Sequence, residues 1–158
     1  MDRIAVFPGS FDPITLGHES VILRSLDLFD RVYIAIGHNS DKHGFFSIED
    51  RITWIKKTFH GYDKIEVATY SGLTVQFCKE VNAQFILRGI RTSADFEFER
   101  GIAQMNKKMN PDLDTVFLLS TPELTPINST IIRDIYRNGG DISHFVPNAI
   151  VSLLEQKL

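Results

Sequence analysis

Five apolar runs divide the chain into predicted strands. They lie at residues 4–7, 31–36, 64–70, 85–87 and 115–119. Short, nearly continuous apolar runs of this kind are typical of strands that are buried on both faces of a sheet. Pro8 and Gly9 follow the first run, and we expect them to end its strand.

Between these runs, apolar residues recur at helical spacing. Val21, Ile22, Leu26 and Phe29 predict a helix after the first strand. A second helix is predicted after Ser47, a residue that suits an N-cap. Further helices are predicted over residues 73–81, about 94–108, 131–137 and 147–154.

Strict alternation of strands and helices predicts an α/β fold. We expect a Rossmann-like, doubly wound parallel sheet of five strands in the order 3-2-1-4-5, with helices on both faces. In that order the winding direction reverses between the first and fourth strands. Ligands of such folds bind at this switch point, beyond the carboxyl ends of the strands.

Composition limits the classes of protein that fit. The chain has 158 residues, 43% of them hydrophobic and 23% charged, and a net charge of -3, so we expect one soluble globular domain spanning residues 1–158. The acidic balance argues against a nucleic-acid partner. No apolar stretch approaches the roughly 20 residues that span a bilayer, so no membrane association is expected.

The single cysteine, Cys78, has no partner for an internal disulfide. Together with an N-terminus that lacks a signal-peptide pattern, this predicts a cytoplasmic protein. Cys78 lies inside a helical pattern and is interpreted as a small core residue rather than a nucleophile.

The segment at residues 9–18 (GSFDPITLGH) is the first candidate for chemistry. It joins the first strand to the first helix, so free N–H groups and partial positive charge gather at its end. Gly9 and Gly17 allow the backbone to approach a ligand closely. His18 adds a donor in or near the first helical turn. The segment therefore predicts a phosphate-binding loop.

A second candidate follows the fourth strand. Arg88 and Arg91 lie three residues apart in what we interpret as a short loop, and a guanidinium suits phosphate oxygens. The alternative is that either arginine forms an ion pair with Asp95, Glu97 or Glu99 on the next helix.

The third candidate is the helix start at Asn128, Ser129 and Thr130, which can cap the helix and also cradle a second phosphate. Lys42, after the second strand, is either a cation that closes over the reacting phosphate or a solvated surface lysine. Its neighbours His38 and His43 do not complete a zinc site, because no cysteine or close ligand pair accompanies them.

These residues suit transfer of a nucleotidyl group to a phosphate ester. A phosphate dianion is already a nucleophile at neutral pH, so no general base is needed. His18, Lys42 and Arg91 are the candidate catalytic donors that would stabilise charge on the α-phosphoryl oxygens. We expect Mg²⁺ as the cofactor, held mainly by substrate phosphates and water rather than by protein ligands.

The string at residues 9–18, with Thr15-Leu16-Gly17-His18 at its end, resembles the signature of the nucleotidylyltransferase superfamily. Within it, the chain resembles the phosphopantetheine adenylyltransferases at residues 88–91, 94–99, 128–133 and 140–147. The resemblance implies transfer of the adenylyl group of ATP to 4′-phosphopantetheine, giving dephospho-coenzyme A and pyrophosphate. It also implies a homohexamer, Mg²⁺, and feedback binding of coenzyme A.

The same resemblance implies roles for individual residues. His18 and Lys42 would stabilise the transition state, and the substrate would be held by Ser10, Lys42, Thr74 and Arg88. ATP would be held by Ser10, Phe11, His18, Gly89, Ile90, Arg91, Glu99, Leu124, Thr125, Pro126, Ile127, Asn128, Ser129 and Thr130.

The chain departs from the family pattern in three places. Ser10 stands where threonine is frequent, Leu124 and Pro126 replace aromatic residues, and Thr74 replaces a larger apolar residue. Two alternatives stay open at this point. One is another nucleotidylyltransferase, such as a nicotinate mononucleotide adenylyltransferase or a cytidylyltransferase. The other is a nucleotide-binding regulator without catalytic activity.

Overall fold

A computed structural model describes residues 1–38 and 43–157 of the chain. Its strands are β1 (Ile4–Gly9), β2 (Arg31–His38), β3 (Ile65–Ser71), β4 (Phe85–Ile90) and β5 (Asp114–Leu119). Its helices are α1 (Leu16–Ser25), α2 (Ile48–Thr58), α3 (Thr74–Glu80), α4 (Ser93–Met109), α5 (Ser129–Arg137) and α6 (Asn148–Glu155), with a 3₁₀ turn at Pro122–Leu124.

The strands form one parallel sheet in the order β3-β2-β1-β4-β5. This confirms the predicted Rossmann-like topology, with β1 and β4 adjacent at the point where the winding reverses. Among the described residues, no helix has the length and apolar character needed to cross a membrane.

Successive side chains of each strand enter two different cores, because the side-chain period of a strand is two. In β1, Ala5 and Phe7 pack with buried residues of α1, α2, α5 and α6, whereas Val6 packs with α3 on the other face. Helices therefore cover both faces, as predicted. Cys78 is fully buried in the second core, which confirms that it is a core residue; burial raises the pKa of its thiol to about 12.

Helix α4 differs from the other helices because none of its residues is buried. It touches the sheet through Phe96, whose ring lies edge-on to Phe117 of β5 at 5.7 Å. Large apolar side chains remain exposed along it, namely Phe96, Phe98, Ile102, Met105 and Met109. This helix presents an apolar surface that the rest of the described chain does not cover.

The strands β1, β2 and β4 extend two or three residues beyond their predicted carboxyl ends, and β3 and β5 differ by one residue. β1 continues through Pro8 and Gly9, which pair with β2, and beyond Val6 it has no pairing with β4. A proline is tolerated in a strand where one side is unpaired. β4 continues through Ile90 because its last three residues pair with β5. Arg88 therefore lies on a strand, not in a loop.

Candidate active site

A cleft of about 480 Å³ opens at the carboxyl ends of β1 and β4. The starts of α1, α4 and α5 surround it, so three segments that are distant in sequence meet where the topology predicts a ligand. Of the residues predicted to bind or act on a nucleotide, the cleft is lined by His18, Gly89, Arg91, Glu99, Ile127, Asn128, Ser129 and Thr130.

A capping box at the start of α1 fixes the orientation of His18. Thr15 is the N-cap, and its hydroxyl accepts the backbone N–H of His18. In return, the backbone N–H of Thr15 donates to Nδ1 of His18 at 3.1 Å. Because Nδ1 accepts this hydrogen bond, the proton of the neutral ring is assigned to Nε2. His18 is therefore a hydrogen-bond donor through Nε2.

The imidazole of His18 is neutral at physiological pH. Removal of the ring from water and, to a smaller extent, the nearby charges of Arg88 and Arg91 together lower its pKa from 6.5 to about 4. The ring lies in a cluster with Phe11 and Phe7, at centroid distances of 5.0 Å and 6.2 Å. This site supplies a neutral donor beside two fixed cations.

The ring of Phe11 packs against the imidazole of His18. Its side chain is 1% exposed, so any contact with a nucleotide is left to its backbone. The close approach of its ring explains Gly9, where an added Cβ would lie 3.0 Å from the Phe11 ring. In the loop at residues 9–18, the side chain of Phe11 is therefore buried in the core, whereas the adjacent Ser10 is exposed.

All three guanidinium nitrogens of Arg88 donate hydrogen bonds. Its Nε and Nη2 donate to the two carboxylate oxygens of Glu99 at 3.0 Å and 2.6 Å, and its Nη1 donates to the carbonyl of Pro8. The side chains of Arg88 and Glu99 are 29% and 12% exposed. Because this ion pair is bidentate and poorly hydrated, it fixes the guanidinium in one orientation near His18.

Arg91 connects two of the three segments that surround the cleft. Its backbone N–H and Nε donate to Asp95 at the start of α4, at 3.1 Å and 3.2 Å. Its Nη1 donates to the carbonyl of Ile127 before α5 at 3.2 Å. The predicted ion-pair alternative is thus realised for both arginines. Arg91 stays in the cleft lining in its pair with Asp95, whereas Arg88, paired with Glu99, lies outside that lining.

The side chain of Asn128 caps the start of α5. The Asn128 side-chain oxygen accepts the N–H groups of Thr130 and Ile131. The Ser129 hydroxyl donates to the carbonyl of Pro13 at 3.4 Å, and the Thr130 hydroxyl accepts from Arg133. These polar groups line the cleft with their positions set by the protein.

Several predicted residues lie outside the lining of this cleft. Ser10 is exposed at the end of β1, Ile90 is buried, and the hydroxyl of Thr74 bonds to that of Tyr70 beyond β3. Three residues of the loop before α5, Leu124, Thr125 and Pro126, also do not line it. Lys42 lies outside the described residues, so its predicted role stays a prediction.

The cleft also includes residues that sequence reasoning did not select. Ala94, Asp95 and Phe98 line it from α4, Val21 from α1, and Ser120 follows β5. The signal for the α4 group was present in the sequence: with Glu99, these residues share one helical face at positions 94, 95, 98 and 99. Val21 carries no such signal, because its role is the close contact of α1 with Gly89.

Within residues 1–38 and 43–157, no three His, Cys, Asp or Glu side chains are grouped as a protein-bound metal would need. Asp95 and Glu99, the carboxylates that line the cleft, are paired with Arg91 and Arg88. Both carboxylates of the lining are therefore already engaged by guanidinium groups.

Comparison with known proteins adds to this geometry. The Cytidylyltransferase-like family model matches residues 6–135. The chain is 49% identical over 150 residues to a phosphopantetheine adenylyltransferase of Cytophaga hutchinsonii, covering 95% of this chain and 100% of the relative. It is 51% identical over 148 residues to a phosphopantetheine adenylyltransferase of Flavobacterium psychrophilum, covering 94% and 97%.

A solved structure of a bifunctional NMN adenylyltransferase/ADP ribose pyrophosphatase from Francisella tularensis matches with a TM-score of 0.72 at 18% identity. The match covers 99% of this chain and 49% of that one. At this identity the likeness shows the shared fold alone.

Proposed function

This chain belongs to the Cytidylyltransferase-like family and, within it, to the phosphopantetheine adenylyltransferases, and from that premise we propose the reaction of its cleft. The protein transfers the adenylyl group of ATP to 4′-phosphopantetheine, releasing pyrophosphate and forming dephospho-coenzyme A. This places it in coenzyme A biosynthesis.

One observation carries the proposal: the neutral imidazole of His18 and the oriented guanidinium of Arg91 line a single cleft, and the charge of Arg88 acts on the same imidazole. The phosphate of phosphopantetheine is itself the nucleophile, so catalysis needs alignment and charge stabilisation rather than a base. Donors fixed before the reaction stabilise charge that develops in the transition state without further rearrangement.

The proposed roles follow from this arrangement. His18 donates from Nε2 to an oxygen of the α-phosphoryl group, and Arg91 and Lys42 offset the charge that grows there as pyrophosphate leaves. Arg88, with Ser10, Lys42 and Thr74, binds the phosphopantetheine substrate. Glu99 lines the cleft beside ATP and also orients Arg88 for phosphopantetheine.

ATP occupies the cleft along its three converging segments. The proposed contacts on this nucleotide are Ser10, Phe11, His18, Gly89, Ile90, Arg91, Glu99 and residues 124–130. Free N–H groups at a helix start suit the phosphate chain. Because the Phe11 ring is buried, its contribution comes from the backbone.

Mg²⁺ fits this cleft as a metal carried by the substrate. The lining carboxylates already pair with arginines, which leaves phosphate oxygens and water as its ligands. When bound, the ion neutralises charge on the leaving phosphates. The residues of this chain orient the nucleotide around it.

The exposed apolar surface of α4 supports self-association, and we propose the homohexamer of the family. Isolated proteins rarely leave a contiguous apolar patch of this kind uncovered. Sedimentation is expected to give six times the chain mass of 18.0 kDa, and a monomer at all concentrations would contradict it. Coenzyme A, which shares part of the product's structure, is the proposed feedback ligand, and the cytoplasm the proposed location.

A substrate panel tests the reaction. Pyrophosphate release is measured with phosphopantetheine, nicotinate mononucleotide and glycerol phosphate, each with ATP or CTP. We expect turnover with ATP and phosphopantetheine, and release at least about 100-fold slower with every other pair, since buried polar groups without partners penalise the wrong substrate. Turnover with CTP alone, or with nicotinate mononucleotide alone, would contradict the proposal.

A further inference from the structure

Two arginines outside the cleft bind the backbone on either side of Phe11. Arg51, from α2, donates from Nη1 to the carbonyl of Ser10 at 2.9 Å. Arg133, from α5, donates from Nη1 to the carbonyl of Asp12 at 2.9 Å. The two carbonyls that flank Phe11 therefore each accept a hydrogen bond from a guanidinium.

Of these two arginines, Arg51 is the one that is buried. Arg51 is 8% exposed, and in the part of the chain that the structure describes it forms no ion pair with a carboxylate. Its Nε donates to the carbonyl of Ser47, so its charge is satisfied by backbone oxygens. A buried charge that is compensated only by backbone carbonyls is expensive, which points to a role beyond stability.

The turn that they hold is conformationally unusual. Phe11 has a φ of 46°, in the left-handed region that a bulky side chain rarely adopts. Such a backbone persists only when its surroundings over-determine it. Here this conformation aims the ring at the imidazole of His18, with the centroids 5.0 Å apart.

Asp12 ties the same turn to the segment before α2. Its buried carboxylate accepts the backbone N–H groups of Phe45 and Phe46 at 2.6 Å and 2.9 Å. Gly44 lets Arg51 pass, because an added Cβ there would lie 2.8 Å from its Nη2. The turn is therefore held from α2, from α5 and from the segment at residues 44–46.

We infer that Arg51 and Arg133 are positioning residues: they hold the turn at Phe11, and the ring of Phe11 sets the place of the His18 imidazole. The inference rests on the proposed function, because that function assigns His18 to the reacting phosphate. Neither arginine lines the cleft. Arg51 acts through the turn at Phe11, whereas Arg133 acts through the same turn and also donates to the hydroxyl of Thr130 in the cleft lining.

The first test is kinetic. Arg51→Met and Arg133→Met remove the donors while keeping an apolar stem. Lys64→Met is the matched control, because Lys64 also donates to backbone carbonyls, those of Leu26 and Phe29, at the opposite end of the sheet. We expect kcat to fall about 10- to 100-fold in the arginine variants, the usual cost of a misplaced catalytic group, with KM for ATP nearly unchanged. In Lys64→Met, kcat should not change.

The second test needs no turnover. NMR titration of the His18 ring follows its pKa in each variant. Water that reaches a loosened ring should raise this pKa from about 4 toward 6.5, while Arg88 and Arg91 still oppose protonation. Arg51→Lys keeps the positive charge but loses the planar guanidinium. Any rise of the His18 pKa in this variant, which we expect to be smaller than in Arg51→Met, therefore reports the loss of hydrogen-bond geometry and not the loss of charge.

Wild-type kcat and an unchanged His18 pKa in folded Arg51→Met and Arg133→Met would overturn the inference, as would a raised KM for ATP with kcat unchanged. If Arg51→Met does not fold, the kcat and the His18 pKa of Arg133→Met and Arg51→Lys test the inference. If the wild-type protein turns over none of the panel substrates, the proposed function fails, and the NMR titration still tests the positioning.

Discussion

The two ends of the sheet carry similar charged residues and use them differently. At the amino end, Arg3 pairs with Asp30 with both side chains well exposed, at 57% and 41%. At the carboxyl end, Arg88 pairs with Glu99 at 29% and 12%. Water screens the first pair strongly, whereas the second is screened much less.

Among the ion-paired arginines, the number of partners separates the two ends further. Arg31 at the amino end has one carboxylate partner, Glu66. At the carboxyl end, Arg88 binds Glu99 and the Pro8 carbonyl, and Arg91 binds Asp95 and the Ile127 carbonyl. Each of these arginines joins segments that are distant in sequence. The comparison shows that the functional end is marked by oriented cations rather than by more of them.

The largest effect is expected from His18→Ala. Loss of a preorganised donor should lower kcat by about 100- to 1,000-fold, with the Kd of ATP changed by less than about fivefold, because the donor acts mainly in the transition state. Single-turnover pyrophosphate release and calorimetric ATP binding measure the two quantities.

Equal losses of turnover and ATP binding in His18→Ala would favour a binding-only protein over an enzyme. His144→Ala is the control, since His144 does not line the cleft, and it should keep both activities.

A smaller effect is expected from Glu99→Gln. An amide cannot accept both hydrogen bonds of Arg88, so the guanidinium loses its orientation. We expect kcat/KM for phosphopantetheine to fall about tenfold, equivalent to about 1.4 kcal/mol. Glu97→Gln is the matched control on the same helix, because its pair with Arg100 is exposed at the surface. If both variants behave alike, the orientation of Arg88 does not matter.

The pH dependence of stability isolates His18. Its pKa is about 4 in the folded protein and about 6.5 when unfolded, so between these values the unfolded chain binds more protons. The contribution of His18 to the free energy of unfolding is therefore fully present above pH 6.5. It decreases as the pH falls toward 4, by at most about 1.4 kcal/mol per pH unit. Urea unfolding of the wild-type protein and His18→Gln at pH 7 and pH 5 measures the difference. A gap between the two that does not change with pH would contradict the neutral imidazole.

The smallest effect is expected at the amino end. Arg31→Gln breaks an exposed pair with Glu66, and pairs of this kind are close to neutral. We expect unchanged kcat and a Tm within about 2 °C of the wild-type value. A loss of activity comparable with that of Glu99→Gln would remove the contrast between the two ends.

Local pattern was enough to predict the elements and their order, because periodicity and turn residues act over a few positions. The general rules for parallel sheets then turned that order into a strand arrangement with one switch point. The same local chemistry selected residues 9–18 and the start of α5, both of which the structure places at the cleft. The predicted N-cap Ser47 is confirmed, because capping depends on short-range hydrogen bonds.

Contacts between distant segments were decided only by the tertiary structure. Pairing with neighbouring strands extended β1 and β4 beyond their apolar runs. Arg133 reaches the carbonyl of Asp12 across 121 positions, and Arg91 that of Ile127 across 36. Burial turned the Phe11 ring into the core and lowered the pKa of His18. A carbonyl accepts from whichever donor the fold brings within about 3 Å, and no local pattern in a sequence carries that information.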